Sequence, residues 1–125
     1  WVQTVEVIAS LPVPAGPTTE IPISRLADLT TSSTSYQTVL SYTVPTNTLT
    51  HLYGLELFSN VFSKTLWRIT IGGVVQWTGQ ELPTGLNVFF ALARVSAAVV
   101  VLVEAASSDG TQVRAWAHLE GKEVS

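Results

Sequence analysis

The chain has 125 residues and a net charge of −3; 46% of it is apolar and only 12% charged, against about a quarter in an ordinary soluble domain. That length suits one domain able to bury roughly two-thirds of its unfolded surface without help from a metal or disulfide. Six Lys and Arg give no basic stripe for a phosphate backbone, no cysteine offers a disulfide or a thiol nucleophile, and no apolar run is long enough to span a bilayer, so neither nucleic acid nor membrane is expected as a partner.

Residues 1–35 read as an extended arm and linker. "WVQTVEVIAS" alternates as a strand does, with Trp1, Val5 and Val7 on one face and Val2 and Ile8 on the other. "LPVPAGPTTEIPIS" then carries Pro12, Pro14, Pro17 and Pro22, which forbid helix and interrupt a sheet ladder. "RLADLTTSSTS" runs from a short apolar patch into a Ser/Thr linker, with room for one helical turn at Leu26, Ala27 and Leu29. No methionine occurs and no charged segment precedes an apolar one at the N-terminus, so the chain is expected to start after processing or truncation.

From Tyr36 the pattern changes to short β-rich runs separated by turn residues, which predicts an all-β antiparallel sandwich over residues 36–125. Strands are expected near 36–44, 48–59, 64–71, 74–78, 86–94, 97–106 and 111–120. In "WRITIGGVVQW", Gly72-Gly73 reads as a two-residue hairpin loop, because the turns that suit strand twist need φ > 0. An unbroken register from that turn sets Arg68 opposite Trp77 and sends Trp67 and Trp77 to opposite faces, Trp67 to the core and Trp77 to a stack with the Arg68 guanidinium. "AAVVVLVEAA" is apolar on both faces, with Val100 and Leu102 on the second, as befits a central covered strand or an oligomer interface. In "TQVRAWAHLE", Val113, Ala115, Ala117 and Leu119 form a core face, and Arg114, Trp116, His118 and Glu120 an outer one.

The inventory for catalysis is poor. His51 and His118 are the two histidines, no G-x-S-x-G elbow occurs, and Asp28 and Asp109 fall in a linker and a turn. Glu56 and Glu104 stand on separate strands, while Glu81, Glu120 and Glu123 fall in loops or near the end, so no carboxylate pair is nominated. His118 and Glu120 share a strand face, but a metal site needs further ligands that the sequence does not indicate. No catalytic residue, cofactor or metal is expected. The surplus of outward aromatics, Trp77 and Trp116 with Arg68 nearby, instead points to interface burial, since Trp and Arg dominate interface hot spots. The competing reading is a carbohydrate-binding module in which Trp77, Trp116 or Tyr53 stacks on sugar rings.

The ordered pattern "YTVPTNTLTHLYGLEL", "LWRITIGGVVQW", "LPTGLNVFF" and "VSAAVVVLVEAASSDGTQVRAWAHLEGKEV" resembles small jelly-roll β-sandwich domains of tailed-bacteriophage virions, particularly capsid-decoration and head- or tail-fibre proteins. The shared cues are a Pro-led strand start, the Gly-Gly hairpin, the long valine strand, the Asp109-Gly110 turn and the closing Leu119, Gly121, Glu123 and Val124. The resemblance implies a non-enzymatic structural protein of the virion, commonly trimeric, whose N-terminal arm holds the major capsid protein or a neighbouring subunit. On that expectation Trp1, Val5, Val7, Arg68, Trp77, Val100, Leu102 and Trp116 serve interfaces, and removing residues 1–24 leaves a folded sandwich that no longer docks. A receptor-binding fibre tip that recognises glycan is the alternative.

Overall fold

The computed structural model describes residues 19–80, 82 and 85–125. Eight strands follow in chain order: β1 (Glu20–Thr31), β2 (Gln37–Thr43), β3 (Leu49–Ser59), β4 (Thr65–Ile71), β5 (Val74–Gln80), β6 (Leu86–Val95), β7 (Val100–Ser107) and β8 (Val113–Val124). They form two four-stranded sheets, ordered β1-β8-β3-β6 and β2-β7-β4-β5, in which every pairing is antiparallel. Except within the β4–β5 hairpin, successive strands alternate between the sheets, the winding of a jelly roll. The sandwich expected from the turn-and-strand spacing is the observed architecture.

Its start is earlier than the sequence suggests. Glu20–Thr31, expected as arm and linker, is a twelve-residue edge strand paired along its whole length with β8. Pro22 does not prevent this, because an edge strand has one unpaired side on which a missing N–H costs no ladder bond. Ile23 is buried, and Ala27 and Leu29 pack against the core from the same face. The Leu26–Leu29 segment is therefore strand rather than a helical turn, Asp28 is a strand residue, and a cut after residue 24 would remove Glu20–Ser24 from the β8 ladder. Trp1, Val5, Val7 and the rest of the first eighteen residues lie outside the described part of the chain.

The core lies between the sheets. Trp67 is its largest fully buried side chain, set among leucines 52, 55, 57 and 119, valines 101 and 103, and alanines 105, 115 and 117. Its indole N–H is buried without a hydrogen-bond partner among the described residues.

Bulges decide which side chains face out. In the hairpin, Gly72 and Gly73 take φ of 59° and 79°, as the turn requires. Beyond it Gln76 and Gly79 are each one residue extra on β5, so Ile69, not Arg68, lies opposite Trp77. Trp77 is consequently half-buried and packed against the core. In β3 the extra residue is Tyr53, and it changes the inward phase from Thr50 and Leu52 to Leu55, Leu57 and Ser59. Gly121 lies across from Leu52 at that bulge, where a Cβ would stand 2.4 Å from the His51 carbonyl oxygen. Only glycine permits so close a backbone approach.

Candidate functional site

The outer face of the first sheet gathers most of the chemistry. Its rows follow from the register: Asp28, Trp116 and Phe58 in one, Leu26, His118 and Glu56 in the next, then Ser24 and Glu120. Glu56 faces out because the Tyr53 bulge has reset the phase of β3, which brings it beside His118 from a strand sixty residues away in sequence. This is the partner that the sequence did not reveal. Glu120 lies on the outer face of β8, as the alternation of that strand predicts, and Glu123, expected near the end of the chain, is a β8 strand residue too.

At the centre, the Ser24 hydroxyl lies 2.5 Å from His118 Nε2. On the other side of the ring, Nδ1 is 3.4 Å from Glu120 Oε1 and 3.7 Å from Glu56 Oε2. One ligand atom each from Glu56, His118 and Glu120 falls within a mutual distance of 4.8 Å. His118 is half-buried, while Ser24, Glu56 and Glu120 are exposed. Ser24, His118 and Glu120 are ordered as nucleophile, base and acid are, on an open face of the sheet.

Beside this polar centre stands an aromatic group. Phe58 meets Trp116 edge-on at 5.7 Å with the ring planes at 61°, and meets Phe62 at 5.2 Å and 80°. The Arg114 guanidinium lies 4.7 Å from the Trp116 ring centroid and pairs with Asp28 through Nε at 3.0 Å. Leu26 and Phe58 are 72% and 54% exposed on the same face. Rings tilted in this way do not form a flat stacking platform.

The outer face of the second sheet is arranged differently. Arg68 donates two parallel hydrogen bonds to Glu104, Nε to Oε1 at 2.8 Å and Nη2 to Oε2 at 3.0 Å, and its guanidinium lies 4.4 Å from the Tyr36 ring centroid. The Tyr36 hydroxyl accepts the N–H of Gly79 at 2.9 Å, which ties the ring to the β5 bulge. Arg68 therefore stacks on Tyr36 and not on Trp77, and its pairing covers the only acid on β7. Val100 is exposed and Leu102 half-buried. The described residues expected at interfaces thus do not converge: Trp116 lies on one sheet, Arg68, Val100 and Leu102 on the outer face of the other, and Trp77 turns toward the core.

No protein-family model and no curated protein matches the sequence. Among solved structures, the chain is similar to one described as the acidic stable capsid structure of Helicobacter pylori bacteriophage KHP30, at 10% identity and a TM-score of 0.48, covering 84% of this chain and 93% of that one. It is also similar to the CBM36-1 domain of a multidomain xylanase from the hindgut metagenome of Trinervitermes trinervoides, at 13% identity and a TM-score of 0.39, covering 82% of this chain and 97% of that one. At these values neither likeness assigns this chain a role. Among the described residues, no helix is long and apolar enough to cross a membrane.

Proposed function

We propose that this is a non-enzymatic structural protein of a bacteriophage particle, of the capsid-decoration or fibre type, that associates as a homotrimer through its sandwich and docks on a neighbouring shell protein through residues 1–18. The observation that carries the reading is the apolar surface left on the sandwich: Leu26 and Phe58 beside Trp116 on one sheet, and Val74 and Val75, 63% and 50% exposed, at the β4–β5 hairpin. A monomer leaves such surface to water at a cost that association removes. The resemblance of the chain's turn and strand cues to virion jelly-roll domains supports the same reading, as does the low share of charged residues.

Sedimentation of the full chain at micromolar concentration is expected to give the mass of a trimer. Phe58→Glu or Leu26→Glu should shift it to monomer without altering the circular dichroism of the sandwich. Removal of residues 1–18 should leave a folded trimer that no longer binds its particle. A full-length monomer would overturn the reading. Quenching of tryptophan fluorescence by one specific oligosaccharide, lost in Trp116→Ala, would favour a carbohydrate-binding role instead.

A further inference from the structure

The geometry points to a divalent transition-metal site, of the class that takes Zn²⁺, on the outer face of the first sheet, with Glu56, His118 and Glu120 as its protein ligands. Three features of the cluster converge on this. The first is the spacing. Bonds of about 2.0–2.2 Å in a tetrahedral zinc shell set neighbouring ligand atoms about 3.3–3.6 Å apart. Nδ1 of His118 lies 3.4 Å from Glu120 Oε1 and 3.7 Å from Glu56 Oε2, close to that edge length, and the three ligand atoms lie within 4.8 Å of one another, with both glutamates exposed and free to close on an ion.

The second is the orientation of the imidazole. Ser24 Oγ lies 2.5 Å from Nε2; when Nε2 carries the proton, this hydroxyl is its acceptor and the Nδ1 lone pair is left aimed at the two carboxylates. A metal-bound histidine is held in this way, its outer nitrogen donating to a fixed acceptor that sets both tautomer and ring direction. Here the acceptor comes from β1 and the ligands from β3 and β8, so three strands of one sheet define the site.

The third is charge. Two carboxylate oxygens facing an imidazole lone pair repel unless a cation lies between them. Among the described residues no lysine or arginine forms a salt bridge with Glu56 or Glu120: Lys64, Arg68, Arg114 and Lys122 are paired with Asp109, Glu104, Asp28 and Glu20, Arg25 lies over the Tyr42 ring, and Arg94 forms no salt bridge with either glutamate. A metal ion at the centre supplies that positive charge. One nitrogen with two oxygens suits zinc and its neighbours in the first transition row rather than calcium, which takes six to eight oxygen donors. Water completes the shell on the solvent side, the open arrangement that a three-ligand zinc centre has.

Calorimetric titration of the full chain with Zn²⁺ near neutral pH is expected to show one ion per chain and a raised melting temperature. Each of E56Q, E120Q and H118Q should weaken binding at least about tenfold, and Ser24→Ala, which touches no metal, by about 10- to 100-fold through loss of ring orientation. E56Q and E120Q change exposed side chains and keep the test alive should H118Q fail to fold. Binding that survives E56Q and E120Q, no binding of Zn²⁺ by a folded protein, or a preference for Ca²⁺ over Zn²⁺ would each overturn the assignment.

Discussion

Tyr42 joins the two sheets through a single hydroxyl. It rises from β2 in one sheet and ends 2.7 Å from Thr50 Oγ1 and 2.5 Å from Glu123 Oε2, register partners on β3 and β8 of the other. Burial, and then the hydrogen bond donated to Glu123, push the phenol from 10.0 up to about 12. The folded chain thus holds this proton more tightly than the unfolded one, so its contribution to stability is complete below pH 10 and is lost as pH rises toward 12. Denaturant midpoints are expected to fall across that window in the parent protein and to fall less in Tyr42→Phe. At neutral pH the same substitution should cost about 1.5–3 kcal/mol, the range for a hydrogen bond to a charged group; an unchanged midpoint would show that the hydroxyl holds nothing together. Gly121 is the second residue on which much depends. A methyl group there meets the His51 backbone carbonyl oxygen at 2.4 Å, an atom that cannot swing aside as a flexible side chain would. Gly121→Ala should therefore destabilise by at least about 2 kcal/mol, and the shift of β3 should move Glu56 away from His118. Thermal melts check the first effect and zinc titration the second.

At the scale of elements, the strands from β2 to β8 are legible because turn residues and period-two alternation coincide there. Gly72-Gly73 marks its hairpin from composition alone, whereas Asp109-Gly110, which reads as a hairpin turn in the sequence, carries the chain from one sheet to the other, so β7 and β8 do not pair. β1 was hidden by a different feature of the chain: prolines and a Ser/Thr tract look like a linker, and nothing local reveals that β8 needs a partner on its free side. The bulges were hidden too, because an extra residue leaves the composition of a strand unchanged while altering its register. At the turn between β6 and β7, Ala98 has φ of 67°, in the left-handed region that disfavours a Cβ, while its N–H donates to the Val44 carbonyl at 2.9 Å. Ala98→Gly should raise stability by about 0.5–1 kcal/mol, since relief of that strain exceeds the added freedom of the unfolded chain. A fall in the melting temperature would contradict it.

Over the whole molecule, the outer row Arg114, Trp116, His118 and Glu120 was readable from alternation along one strand. Its completion by Ser24 and Glu56 was not, because each comes from a strand whose place or phase only the assembled sheet fixes. The same assembly places the described ends of the chain together. Thr19 and Ser125 exchange both backbone hydrogen bonds at 2.9 Å, and β1 and β8 run antiparallel away from them. Tension applied between those two points therefore loads the ladder as a zipper, one bonded pair at a time, rather than in shear across all of it. Pulled from residues 19 and 125 in an optical trap, the sandwich should yield first by peeling β1 from β8, at markedly lower force than when pulled from residue 19 and the Asp109-Gly110 turn, a geometry that slides β1 lengthwise against its partner. A load entering at residues 19 and 125 would therefore open the β1–β8 ladder pair by pair, and one entering at residue 19 and the far turn would have to slide it as a whole.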